Sequence, residues 1–282
     1  MKLKNIVETG EPELLATGFQ FTEGPIWMPE GYLLFSDIPA NKIYKWTPEQ
    51  GAEVWRDPSG NSNGLTRNLN NQLLACEHGN RRVSLTNANG TVETLVDRFE
   101  GKKLNSPNDL VMKSDGVIYF TDPPYGIQPE EKEQAPNGVY RILTDGTVDL
   151  VADDFERPNG LAFSPDESVL YIDDSHYRHL RAFDVRADGT LENSRIIGDM
   201  DHPQAGSPDG LKVDQEGHIY VTGATGVWIF EPDGELLGVI VPPERPANCS
   251  WGDDDKKSLF LTAQTSLYRI RTTIPGSGTG IK

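Results

Sequence analysis

RPNGLAFSPDESVLYIDDS (residues 157–175) sets two short apolar runs on either side of an Asp-containing turn, with an asparagine at the start of the first run. Runs of this length bounded by turn residues read as an antiparallel strand pair. The pattern returns in SPDGLKVDQEGHIYVTGA (207–224), 50 residues on (209 − 159), with Asp209 in the place of Asn159. Followed along the whole chain, it occurs six times. The copies begin at Glu23 (EGPIWMPEGYLLFSD), Asn63 (NGLTRNLNNQLLACE), Asn108 (NDLVMKSDGVIYFTD), Asn159, Asp209 and Asn248 (NCSWGDDDKKSLFLTA), at intervals of 40, 45, 51, 50 and 39 residues.

Six units in 282 residues leave about 47 each, the size of a four-stranded propeller blade and too long for one coil of a β-helix. Third strands (GVYRILTDGT, LRAFDVRADGT, GVWIFEPDGE) and fourth strands (DLVADDF, RIIGDM, LLGVIV) follow the clearest copies. The expected fold is all-β, one six-bladed β-propeller spanning residues 1–282. The last copy ends at its third strand, SLYRIRT, while residues 13–19 resemble a fourth strand that has no blade before it. The N-terminal strand should therefore complete the last blade and leave no open edge.

Composition narrows the partners. A net charge of −17 excludes general affinity for nucleic acid, which needs a basic face. No run of 18 apolar residues and no apolar leader segment is present, so no membrane span and a cytoplasmic protein are expected. Cys76 and Cys249 are too few and too far apart for a disulfide framework or a cysteine-based zinc site, and read as small buried residues.

Equivalent positions in radially arranged blades lie on a circle. The polar residue that opens each first, innermost strand should therefore ring one mouth of the central channel. All six (Glu23, Asn63, Asn108, Asn159, Asp209 and Asn248) carry a side-chain oxygen. Two carboxylates and four amides near an axis call for a compensating cation, because buried like charges oppose one another. An all-oxygen set suits Ca²⁺ better than Zn²⁺; Mg²⁺, Mn²⁺ and Zn²⁺ are the alternatives. The competing reading is that Asn and Asp cap turns before strands. That reading accounts neither for six oxygen-bearing residues in six places nor for glutamate at position 23.

Fourteen residues beyond the ring positions stand Asp37, Glu77, Asp122 and Asp173, expected at the same mouth as supports or substrate contacts, or else as strand-end caps. His78 follows Glu77 there, either as a substrate contact or as a solvent-facing histidine. Arg81 and Arg82 read as surface residues, one of them paired with a neighbouring acid. The connection PPYGIQPEEKEQAPNG (123–138) reads either as a lid over that mouth or as a solvated loop.

The motifs TEGPIW, NSPNDLVMKSDGVIYFTDPPYG, RPNGLAFSPDESVLYI and SPDGLKVD, in this order, resemble the SMP-30/gluconolactonase/LRE family of six-bladed propellers. That family takes in calcium-dependent lactonases and, more distantly, phosphotriester hydrolases. The resemblance implies that Glu23, Asn108, Asn159 and Asp209 hold a catalytic divalent ion, with Asp209 also the general base; because metal coordination lowers the basicity of Asp209, Glu23 is the fallback for that role. It places Asn63 and Asn248 as outer or water-mediated neighbours. The animal branch has a substrate-contacting arginine where this chain has Ser106; SPNDLV and EHGNRRV (77–83) are nearer to the bacterial lactonases. Substrate contacts are expected from Asn63, His78, Ser106, Asp122 and Asn248. The expected activity is hydrolysis of a small-molecule sugar-acid lactone such as glucono-1,5-lactone. An esterase or phosphotriesterase would share the metal, and a non-catalytic scaffold would have no use for the ring.

Overall fold

In the computed structural model, which describes residues 3–8 and 10–278, adjacent side chains of one strand face different neighbours. Leu33 and Phe35 pack toward the last blade, against Phe260 and Leu267, whereas Leu34 between them packs with Leu65, Leu73 and Ala75 of the next. Side-chain direction alternates along a strand. A strand with blades on both sides must then be apolar on both faces, and the run YLLF is fully apolar for that reason.

Each of the six repeats is a four-stranded antiparallel sheet. Blade 1 holds Thr22–Met28, Tyr32–Asp37, Lys42–Thr47 and Gly51–Arg56. The innermost strands of blades 2 to 6 are Ser62–Arg67, Leu110–Met112, Pro158–Phe163, Leu211–Val213 and Pro246–Gly252. Blade 6 is completed by Glu13–Thr17, which pairs with Ser266–Arg271 in the register Glu13 to Arg269 and Thr17 to Ser266. The ring is thus closed by its first strand, as the sequence predicts. Apolar clusters fill the seams between blades; Leu74, Cys76, Leu110, Phe120 and Tyr140 form one of them. Cys76 and Cys249 are free and fully buried.

The N-G-L triplet has a physical job at each letter. The Asn-type residue faces the channel, and Leu65, Leu161 and Leu211 enter the seams. Glycine lets the neighbouring blade approach. The amides of Gly64 and Gly160 donate to the carbonyls of Asn108 (2.8 Å) and Asp209 (2.9 Å) on the next blade, and a Cβ on Gly160 would lie 2.1 Å from that Asp209 oxygen. Hydroxyls add further bonds between blades, from Ser36 to Asn63 O (2.8 Å) and from Thr121 to Asn159 O (2.8 Å).

Two elements were not foreseen: a short hairpin joining Arg98–Phe99 to Lys102–Lys103, and a 3-10 turn at Pro129–Glu131 inside the long connection. Gln134 ties that connection to the hairpin through the carbonyls of Phe99 and Lys102. No helix among the described residues is long and apolar enough to cross a membrane.

Candidate metal and active site

A cavity of about 430 Å³ opens at one end of the channel, and Glu23, Asn63, Asn108, Asn159 and Asp209 line it. Five of the six ring residues are therefore brought together. They sit at the start of their inner strands because the chain before each is pinned. Asp37, Asp122 and Asp174 each accept two backbone N–H groups from the segment leading in: Gln20 and Phe21, Asn105 and Ser106, Glu156 and Arg157. A carboxylate that accepts two amides fixes the approach of the next strand.

The amides form a relay. Asn63 Nδ2 donates to Asn108 Oδ1 (2.7 Å), Asn108 Nδ2 to Asn159 Oδ1, and Asn159 Nδ2 to Ser175 Oγ (3.0 Å), which donates to Pro208 O (2.7 Å). Asn159 Oδ1 accepts one bond in this relay and keeps a second lone pair. His78 Nε2 stands 3.3 Å from both Asn63 Nδ2 and Asn108 Oδ1. Burial pushes its pKa down to about 4, so the imidazole is neutral.

Glu23 is buried and Asp209 half-buried, and neither carboxylate has a cationic partner among the described residues. Burial raises the pKa of both; the charge of Asp109 adds to the rise at Glu23, and that of Glu23 adds to it at Asp209. Two such carboxyls side by side are unfavourable while ionised, and a divalent cation would relieve both at once. Among the described residues no three His, Cys, Asp or Glu side chains form a metal-ligand group. The donors available are two carboxylates with the amide oxygens beside them, an all-oxygen set that fits a hard cation.

The other sequence-predicted residues lie elsewhere. Asn248 turns inward, donating to Glu23 Oε2 (2.9 Å) and Asp109 Oδ2 (3.3 Å). Ser106 and Asp122 are fully buried behind the cavity wall: Ser106 Oγ accepts from Gly126 N (3.0 Å), and Asp122 is the cap described above. Glu77 is held by Arg56, Arg82 and Ser84. Arg81 is not a free surface group, since its Nε donates to the carbonyls of Leu104 and Asn105 just before Ser106. Asp173 is buried, and neither of its oxygens has a hydrogen-bond partner among the described residues.

Sequence reasoning passed over Asp109, Tyr125, Arg157, Ser175 and Arg245. Asp109 occupies the repeat position held by glycine in four of the six copies, and that substitution was the available signal. Its carboxylate is buried, bonded to Asn248 and 3.8 Å from Lys212 Nζ.

Residues 21–265 match the family described as SMP-30/Gluconolactonase/LRE-like region. A gluconolactonase of Zymomonas mobilis is 34% identical, over 96% of this chain and 84% of its own. A pentonolactonase of Haloferax volcanii is 28% identical, over 87% and 82%. Among solved structures, a gluconolactonase of Xanthomonas campestris superposes with a TM-score of 0.88 at 35% identity, over 96% of this chain and 92% of that one. The ring of oxygen donors, the closed six-bladed frame and these similarities agree, and the chain belongs to the SMP-30/gluconolactonase/LRE-like family.

Proposed function

We propose that the protein is a metal-dependent hydrolase of a sugar-acid lactone of the glucono-1,5-lactone type. The observation that carries this reading is a pair of carboxylates, buried Glu23 and half-buried Asp209, set beside the Asn108 and Asn159 amides on the floor of an open cavity. The lactonase relatives supply the reaction class. Glu23, Asn108, Asn159 and Asp209 would hold the ion, and Ca²⁺ suits their oxygens best. Bound there, such an ion supplies Lewis-acid polarisation of the lactone carbonyl and stabilises charge on its oxygen.

The chain's own groups do the rest. Asp209, with its pKa raised by burial, takes the proton of the water that attacks the acyl carbon. The same proton then goes to the ring oxygen as the acyl C–O bond breaks, and the product is the open hydroxy acid. The relay from Asn63 to Ser175 keeps the Asn108 and Asn159 oxygens from rotating. Neutral His78 offers a hydrogen bond without competing with the ion for charge.

The test is proton release from glucono-1,5-lactone by chelator-stripped protein, with Ca²⁺, Mg²⁺, Mn²⁺ or Zn²⁺ added singly. Hydrolysis that returns with a divalent ion supports the reading, and the ion that restores it at the lowest concentration identifies the cofactor. Folded, metal-loaded protein that hydrolyses neither this nor any other sugar lactone overturns it.

A further inference from the structure

The rim of the cavity carries charge opposite to that of its floor. Arg157 immediately precedes the inner strand of blade 4 and Arg245 that of blade 6, so the two flank blade 5 and Asp209. The chain has 14 arginines, all within the described residues. Twelve of them hold a hydrogen bond or ion pair through the guanidinium. Arg157 and Arg245 are the two that make none among the described residues, and both line the cavity. The contact Arg157 does make is with the ring of Tyr125, 5.7 Å from its Cζ.

That distribution is informative in a chain with 43 acids against 26 bases. A guanidinium on so acidic a surface readily finds a carboxylate: nine did, and three more bond an amide or backbone carbonyl oxygen. Two left free at one mouth, one of them laid over an aromatic face that limits its motion, are available to a ligand. With Glu23 and Asp209 balanced by a divalent cation, these arginines make the cavity net positive. A neutral sugar lactone offers them hydroxyls but no charge. A planar carboxylate or a phosphate offers the paired oxygens that guanidinium binds best.

We propose that Arg157 and Arg245 clamp an anionic group at the end of the substrate remote from the ester, so that the preferred substrate is a sugar lactone carrying a carboxylate or a phosphate. The proposal rests on the lactonase reading and narrows its substrate class.

The experiment compares kcat/KM for glucono-1,5-lactone, glucaro-1,4-lactone and 6-phosphoglucono-1,5-lactone in the metal-loaded protein, Arg157→Gln, Arg245→Gln and, as a control, Arg186→Gln, whose guanidinium pairs with Glu192. The expected result is a preference for one anionic lactone over the neutral one that falls about tenfold in each rim variant and holds in the control. It should also weaken between about 0.05 and about 0.5 M salt, because the rim is exposed. Preference for glucarolactone identifies the group as a carboxylate, and preference for the 6-phospho lactone identifies a phosphate. No anionic preference, or equal losses on all three substrates, overturns the clamp while leaving lactone hydrolysis standing. If none of the three is hydrolysed, the lactonase reading is what fails. Calorimetric binding then judges the clamp: 6-phosphogluconate or glucarate binding tighter than gluconate, with the difference lost in the rim variants, supports it, and equal affinities overturn it.

Discussion

Asn248 bridges Glu23 and Asp109, its amide nitrogen 2.9 Å from one carboxylate and 3.3 Å from the other, while its own oxygen accepts from Cys249 N at 2.8 Å. Three contacts hold the side chain turned away from the cavity. Its effect on the site passes through Glu23: with one carboxylate oxygen engaged by Asn248 and by the Gly24 amide, the other is left for the cavity. Removal of a group that orients a ligand typically weakens metal affinity about 10- to 100-fold. Asn248→Ala should show a loss of that order in calorimetric titration of Ca²⁺, with most of kcat recovered at saturating metal. Unchanged affinity would mean that Gly24 alone suffices to orient Glu23.

Asp209→Asn separates proton transfer from shape. The amide is close in size, retains one oxygen and cannot accept the water's proton. At saturating metal, kcat should fall by at least about 10²-fold, the usual weight of a general base. Circular dichroism and melting temperature should confirm an intact fold. A variant retaining wild-type kcat would shift the base to Glu23, the other acid on the cavity floor.

The fold was legible because each letter of the repeat is fixed by a different force. The ring position faces the channel, glycine admits the neighbouring blade, and leucine fills the seam. Asp109 was lost inside that regularity, as its distinction is a departure from glycine rather than a motif. Of the acids expected at the second-strand ends, Asp37 and Asp122 are caps, and Asp173 alone was misplaced, for a geometric reason. The turn SPDES in blade 4 is one residue longer than its counterparts in the other blades, so a constant count of fourteen lands one residue early there. Pro158 pairs with Asp174, and Asp174 does the capping that Asp37 and Asp122 do elsewhere; Asp173 falls on the buried side instead. Arg157 and Arg245 could be read in the sequence, but their lack of partners could not, since pairing depends on which acids the fold brings near.

Metal and protons should compete for the floor of the cavity. The folded-state pKa of Glu23 is raised by burial, then by Asp109, to about 7, and that of Asp209 is raised by burial, then by Glu23. A group with a raised folded pKa contributes stability that is present below its unfolded value and lost as pH rises through the folded one. The melting temperature of chelated protein should therefore carry a term from these acids that declines from pH 5 to pH 8. His78, lowered by burial to about 4, works in the opposite direction, losing stability on acidification from about 6.5. Comparison of chelated and Ca²⁺-loaded protein at the same pH separates the two. The gain in melting temperature on adding Ca²⁺ should be larger at pH 8 than at pH 5, because bound protons must leave before the ion binds. Equal gains at both values would mean that Glu23 and Asp209 are not the ligands.

Gly160→Ala tests whether the frame and the site are one structure. The new Cβ would lie 2.1 Å from Asp209 O and 2.7 Å from Leu211 N, both backbone atoms of the next blade that cannot swing aside as a side-chain end could. Relief requires blades 4 and 5 to separate, stretching the Gly160 N to Asp209 O bond that joins them. Overpacking of this kind costs about 1–3 kcal/mol, and more where backbone must move. The displaced residue is Asp209 itself. The variant should melt several degrees lower and, in whatever fraction stays folded, bind Ca²⁺ more weakly than wild type. A lower melting temperature with wild-type Ca²⁺ affinity would show that the cavity floor tolerates movement between blades, and that the Asp209 carboxylate is positioned by its side-chain neighbours rather than by the seam.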